Sequence, residues 1–118
     1  MAAELVVKTL DVDGAGFCVN VKVGDASGGE TIVAAVAGKS HYVTSIIINT
    51  VAAITVTIQD NTAATPVVLL GPVNFAATSG SPHTVNFLKA VKVTAGNLIE
   101  IDASGAGLIQ CTIQGYTR

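Results

Sequence analysis

The stretch Ile54-Thr55-Val56-Thr57-Ile58-Gln59 alternates strictly between apolar and polar side chains. Successive side chains of a β-strand point to opposite faces of its sheet, so a period of two predicts a strand that is buried on one face. The three apolar residues are therefore expected in a core and the three polar residues outside it. The stretch Ile109-Gln110-Cys111-Thr112-Ile113-Gln114 repeats the pattern near the other end of the chain.

The same period extends outward from these two stretches, and no segment shows the i, i+3, i+4, i+7 spacing of an amphipathic helix. Runs of β-branched residues are separated by turns rich in Gly, Asp, Asn and Ser, which tolerate turn conformations. Strands are predicted at 5–12, 16–23, 30–37, 42–50, 53–59, 66–70, 83–88, 91–94, 98–103 and 108–116. Eight to ten short strands predict one all-β domain over residues 1–118, an antiparallel, jelly-roll-like β-sandwich.

Three apolar runs break the alternation, at Ile46–Ile48, at Val67–Leu70 and at 32–37. A strand that is apolar on both faces is covered on both faces, and a two-layer sandwich covers only one. Either loops or a second subunit supply the other cover. The composition favours a subunit, because charged residues are only 12% of the chain, about half the usual share. The candidate interface residues are Leu5, Val7, Val67, Val68, Leu69 and Leu70.

The composition argues against membranes and nucleic acids as partners. Charge-free stretches such as 40–59 contain polar residues throughout, whereas a spanning helix needs about 20 mostly apolar residues. The first residues lack a basic segment followed by an apolar one, so no signal peptide is expected. The net charge is −2, without the basic patch and interleaved aromatics of a nucleic-acid binder.

Cys18 and Cys111 are the only cysteines. In the predicted strands Cys18 shares a face with Lys22, whereas Cys111 shares one with Ile109. One thiol should therefore point outward and the other inward, which argues against a disulfide between them if this register is right. Two free thiols fit assembly in a reducing cytoplasm.

No motif in the sequence supports a metal site. The segment Asp11-Val12-Asp13-Gly14 resembles the start of a calcium loop. The EF-hand pattern, however, requires Asp or Asn where Ala15 stands and Glu where Lys22 stands, so a hairpin turn is the better interpretation. His41 and His83 have no second ligand at metal-binding spacing.

Catalytic motifs are equally weak. The segment Gly38-Lys39-Ser40-His41-Tyr42 lacks the final Gly of a nucleophile elbow. Glu100 and Asp102 share one face of a strand and fit its solvated side better than a glycosidase pair. We therefore predict no catalytic, cofactor-binding or metal site and no enzyme, although a hydrolase that uses these two carboxylates is an open alternative.

A carbohydrate-binding module is another alternative for a small β-sandwich without an active site. Such modules lay Trp or Tyr rings against sugar faces. This chain has no Trp, and its tyrosines are Tyr42 and Tyr116. Sugar binding by the free protein would distinguish this alternative.

A strand-and-turn pattern covers the C-terminal two-thirds of the chain. It runs through 42–49, 54–60, 91–101 and 103–107, and ends after an alternating strand at Gly115-Tyr116. This pattern resembles the small jelly-roll decoration, or cement, proteins of tailed bacteriophage virions, which bind the outside of capsids, commonly as trimers. Related sandwiches occur in tail and head-fibre proteins.

The resemblance implies a virion structural protein that binds the major capsid protein on the capsid exterior. It also implies a homotrimer that is assembled in the host cytoplasm. The alternative in the same setting is a carbohydrate- or receptor-binding module of a phage tail or head fibre. Residues 1–12 fall outside the resembling region, and we predict that they form an N-terminal arm or swapped strand that reaches a neighbouring subunit.

Overall fold

The computed structural model of the chain describes residues 4–8, 16–61, 66–76 and 82–118, which fold into nine strands. The strands are β1 (Glu4–Lys8), β2 (Gly16–Asp25), β3 (Glu30–Val33), β4 (His41–Thr50), β5 (Thr55–Asn61), β6 (Val67–Asn74), β7 (His83–Lys92), β8 (Leu98–Ala103) and β9 (Ala106–Thr117). Within the described ranges, no helix is long and apolar enough to span a membrane.

The strands form two antiparallel sheets of a β-sandwich. The five-stranded sheet has the order β1-β2-β9-β4-β7, and the four-stranded sheet has the order β3-β8-β5-β6. The pairs β2·β9, β3·β8, β4·β7 and β5·β6 are nested in sequence, so the chain is one long hairpin wound around the sandwich. This arrangement is a jelly roll, and it confirms the predicted fold class.

The core lies between the two sheets and follows the predicted alternation. Ile54, Val56 and Ile58 are buried, as are Ile109, Cys111 and Ile113, whereas the polar residues between them are half-buried or exposed. Strand β8 adds Ile99 and Ile101 to the same core. Each such buried aliphatic side chain contributes about 1.5–3 kcal/mol, so the inward registers of these strands account for much of the stability of the sandwich.

Several of the strand predictions were wrong in extent. The strand predicted at 30–37 ends at Val33, and residues 34–37 are exposed. The carbonyl of Ala34 accepts a hydrogen bond from His41 Nε2 at 2.8 Å, and three of these four residues are alanines with little area to bury. The strands predicted at 83–88 and 91–94 are one strand, β7, which stays paired with β4 on both sides of a bulge. The bulge comprises residues 87–90.

Strand β6 runs four residues further than predicted, to Asn74, and includes Pro72. Proline cannot donate a hydrogen bond to a neighbouring strand and is therefore confined to sheet edges. Strand β6 is such an edge, because β5 is its only partner among the described strands.

Strand β1 completes the five-stranded sheet within the same chain. Its backbone pairs with β2, with Leu5 opposite Val21 and Val7 opposite Val19. The remainder of the strand predicted at 5–12, and the Asp11–Ala15 part of the calcium-like motif, lie outside the described residues. The exchange of this strand with a neighbouring subunit stays a prediction.

A glycine allows the two central strands of this sheet to approach closely. Gly115 on β9 lies opposite Val43, next to the register shift of β4. A Cβ atom at this position would collide with the carbonyl oxygen of Tyr42 and would lie 2.9 Å from Cζ of Phe17. The position therefore has no room for any side chain.

Candidate functional site

His41 is buried and uses both ring nitrogens to hold the fold together. Its Nε2 donates to the carbonyl oxygen of Ala34, and its Nδ1 lies 2.8 Å from the hydroxyl of Thr117. The carbonyl can only accept, so Nε2 is the donor in the first bond, and Nδ1 shares the second bond with the Thr117 hydroxyl, which can donate or accept. The ring also packs edge-on against Phe17, with centroids 5.7 Å apart. The geometry therefore supports a structural role for His41.

Asp60 is a buried carboxylate that fixes the turn between β7 and β8. It accepts hydrogen bonds from the backbone N–H and the hydroxyl of Thr94, at 3.1 and 3.2 Å, and from Nδ2 of Asn97 at 3.3 Å. Buried charges persist only when such donors satisfy them. The contacts of Asp60 are those of a structural residue.

Glu100 and Asp102 lie on the outer face of the four-stranded sheet, on one side of β8, as predicted. Oε1 of Glu100 accepts hydrogen bonds from Nε2 of Gln59 at 2.7 Å and from Nδ2 of Asn61 at 2.8 Å. Within the described residues, no group of three or more His, Cys, Asp or Glu side chains could hold a metal ion. These contacts fix Glu100 on the sheet surface.

The two tyrosines stack on each other. The rings of Tyr42 and Tyr116 are 5.0 Å apart and inclined by 11°, and the guanidinium of Arg118 lies 5.0 Å above the Tyr116 ring. Tyr116 is therefore contacted by both Tyr42 and Arg118. A sugar ring needs a free aromatic face, and the stacking of the two tyrosines covers one face of each. This geometry weighs against the carbohydrate-binding alternative.

Both cysteines are free and buried, and they lie on opposite faces of the five-stranded sheet. Cys111 faces the core, where burial raises the pKa of its thiol to about 12. Cys18 lies on the outer register, opposite Gln114, whose Nε2 is 3.6 Å from its sulfur. The faces agree with the prediction, but Cys18 on the outward face is only 9% exposed.

Six large apolar side chains are exposed among the described residues, and three of them lie on strands β6 and β7, the two strands that end their sheets on the same side of the sandwich; the other three are Val36, Ile47 and Val51. Strands β2 and β3 contact each other on the opposite side, which places β6 beside β7. Val67 and Val68 are each 52% exposed, and Leu88 is 107% exposed, as open as in an extended peptide. We call this side, formed by β6 and β7, the β6–β7 edge.

Leu88 is at a bulge that directs it away from the protein. Between the pairs Val43–Val91 and Ser45–Asn86, four residues of β7 stand opposite the single residue Thr44. A bulge bends its strand and re-aims the side chains on it. Phe87 packs against the core, so its neighbour Leu88 points into solvent.

The structure separates the candidate interface residues into three groups. Val67 and Val68 are exposed, as an interface requires, whereas Leu69 and Leu70 are half-buried and pack against the core. For Leu5 and Val7 the structure describes backbone pairing with β2.

Sequence reasoning missed Leu88, although a signal for it exists. In His83-Thr84-Val85-Asn86-Phe87-Leu88 the polar residues Thr84 and Asn86 occupy the outward register. Leu88 continues that register, so a large apolar side chain stands where the pattern demands a polar one.

Comparison with known proteins gives no match to a family model, to a curated protein or to a solved structure. The inference of function therefore rests on the residues and on the jelly-roll fold. Among the described residues, fold stability does not explain the exposed apolar side chains, which include those of the β6–β7 edge.

Proposed function

We propose that this chain is a virion structural protein, a capsid decoration protein that binds the major capsid protein of a phage on the outer shell and stabilises the particle. The observation that carries the proposal is the β6–β7 edge, where Leu88, Val67 and Val68 are exposed on a domain of unusually low charge. Large exposed apolar surfaces of a folded domain mark sites of protein contact.

The described contacts support adhesion rather than turnover. His41 and Asp60 are each engaged in hydrogen bonds that hold loops and strands in place. An adhesive protein needs only a stable scaffold and surface area that favours contact with a partner. The jelly roll supplies the scaffold, and the exposed apolar side chains supply part of the area.

Energetics indicate how such a protein would attach. Buried apolar area contributes about 25 cal/mol per Å², whereas a surface ion pair contributes about 0–1 kcal/mol and is screened by salt. Charged residues make up 12% of this chain. Attachment would therefore depend mainly on apolar and backbone contacts and would be insensitive to moderate salt.

We further propose that the protein acts as a homotrimer. A contact between copies of standard size buries about 800 Å² on each partner, and obligate contacts are more apolar than the rest of the surface. The low share of charged residues in this chain fits that description. Monodisperse behaviour as an 11.9 kDa monomer at micromolar concentration would contradict the proposal of a trimer.

The proposal of shell binding is tested with shells assembled from the major capsid protein of the same genome. Purified protein is mixed with these shells, and bound copies are counted after sedimentation. We expect saturable binding at a fixed number of copies per shell and a higher temperature of shell disruption. In parallel, binding of the free protein to glycans is measured on a glycan array.

Two outcomes decide between the proposed function and its alternative. Binding to shells without binding to glycans supports a decoration protein. Binding to glycans without binding to shells would reject it in favour of a receptor-binding module of a tail or head fibre.

A further inference from the structure

A row of side chains crosses the outer face of the five-stranded sheet at the end where β9 stops. Tyr116 on β9 is paired with Tyr42 on β4, and Tyr42 is paired with Lys92 on β7. Because Val43, next to Tyr42, faces the core, this row faces outward. Arg118 follows Tyr116 by two residues and lies on the same face. We call Arg118, Tyr116, Tyr42 and Lys92 the cationic row.

Arg118 is fixed in position but keeps its charge exposed. Its N–H donates to the carbonyl oxygen of Ser40 at 2.9 Å, and its own carbonyl oxygen accepts from the N–H of Ser40 at 2.7 Å. The guanidinium lies 5.0 Å from the centre of the Tyr116 ring, which is stacked on Tyr42. Arg118 is nevertheless exposed to solvent. Because the backbone and the ring already restrict this side chain, binding an anion costs it less conformational entropy.

The strands around the cationic row carry no negative charge. Strands β4, β7 and β9 contain no Asp or Glu. The carboxylate that the described residues place at this end of the sandwich is Asp60, which is 2% exposed and already accepts the hydrogen bonds described above. Lys39, in the connection before β4, adds an exposed positive charge. Even with a carboxylate counted at Arg118, the exposed charge of this region is positive, although the chain as a whole carries −2.

We propose that the cationic row faces an acidic segment of the major capsid protein and steers the chain onto the shell. The identity of the partner rests on the proposed function, and its chemistry is inferred from charge complementarity. A guanidinium and an ammonium group without neighbouring carboxylates bind carboxylates, the guanidinium in a bidentate manner.

The cationic row is continuous with exposed apolar surface. It ends on β7, the strand that also carries Leu88, the most exposed of the large apolar side chains. Protein interfaces have an apolar centre and a polar, solvent-accessible rim. Lys92 and Arg118 fit such a rim, so the acidic segment of the partner is expected beside the apolar surface that Leu88 contacts.

Such a contact affects the rate of association more than retention. Complementary charges raise the rate at which two proteins meet in the right orientation, and salt screens this attraction. Dissociation depends on the buried contacts, which moderate salt does not weaken. The cationic row is therefore compatible with apolar adhesion, because charge guides the approach and apolar contacts hold the bound protein.

The test measures association with shells of the major capsid protein by stopped-flow light scattering. It is run at about 10 mM salt and at roughly half-molar salt, where the Debye length is about 30 Å and a few Å, respectively. The variants are Arg118→Gln, Lys92→Gln and their combination. The matched control, Lys22→Gln, removes the same charge from an exposed position of the same face, about 20 Å further along the strands. A second control, Arg118→Lys, keeps the charge.

At low salt, the double variant should associate at least about fivefold more slowly than the wild type, and each single variant at least about twofold more slowly. Lys22→Gln and Arg118→Lys should stay close to the wild-type rate. At half-molar salt all rates should converge, and the dissociation rate should be the same for every protein. Poly-L-glutamate, a soluble acidic peptide, should slow the wild type at low salt and leave the double variant unchanged. Thermal unfolding verifies that each variant is folded.

Any of three results would overturn the inference. They are a double variant that associates at the wild-type rate at low salt, equal slowing by Lys22→Gln and the two single variants, and no effect of poly-L-glutamate on the wild type. Each of them leaves shell binding, and with it the proposed function, intact. A wild-type protein that does not bind shells at either salt concentration would reject the proposed function and this inference together.

Discussion

Replacing Ile58 with alanine should destabilise the sandwich much more than replacing its neighbour Gln59. Ile58 is fully buried on β5, which is hydrogen-bonded to β8 on one side and to β6 on the other. The substitution removes three carbon groups, each worth about 0.8 kcal/mol on burial, which gives about 2.4 kcal/mol for transfer alone. A cavity adds to this cost, because a strand held on both sides cannot relax into it.

The expected loss for Ile58→Ala is therefore about 3–4 kcal/mol, within the range of about 2–5 for such substitutions. Gln59 lies on the outer face and donates one hydrogen bond to Glu100, which keeps a second donor in Asn61. Its replacement should cost under about 1 kcal/mol.

Urea unfolding of the wild type and the two variants, followed by circular dichroism, measures both values. The slope of the free energy of unfolding against urea should stay the same, so that the midpoint reports stability alone. Equal losses would refute the half-buried strand. A larger loss for Gln59→Ala would mean that the register of β5 is shifted by one residue.

Three further predictions concern other parts of the chain. Gly115→Ala should prevent folding or lower the free energy of unfolding by more than about 3 kcal/mol, because the added Cβ would collide with the carbonyl oxygen of Tyr42. An unchanged melting temperature would contradict the close approach of β4 and β9. The free energy of unfolding should fall by up to about 1.4 kcal/mol per pH unit between about pH 9 and pH 12. The reason is that the pKa of the Cys111 thiol is 9.0 in the unfolded chain and about 12 in the folded one. Cys111→Ala should remove this contribution to the pH dependence. Deletion of residues 1–12 should weaken trimer formation or shell attachment, and unchanged sedimentation and retention would exclude an N-terminal arm.

The sequence predicts those parts of the fold that depend on local pattern. Strand β5 and strand β9 expose one face and bury the other, as their alternation requires, and the jelly-roll class follows from the number and spacing of strands. Apolar runs without alternation did not predict correctly where a strand ends. The apolar run at 34–37 is an exposed connection, since alanines gain little from burial.

Long-range topology determines the features that the sequence did not reveal. Val67 and Val68 are exposed because β6 ends a sheet, and the order of strands in a sheet is not encoded in any short pattern. The same holds for His41, whose burial depends on Ala34 and Thr117 from two other parts of the chain.

Retention on the particle under increasing salt tests the central claim of apolar adhesion most directly. Particles that carry the protein are washed at low salt and at roughly half-molar salt, where electrostatic interactions between exposed charges are screened within a few Å. Bound copies are then counted. We expect the number of copies per particle to stay the same, because apolar contacts do not weaken at moderate salt. Loss of the protein at half-molar salt, with the trimer intact in solution, would show that charge holds it on the shell and would contradict the account.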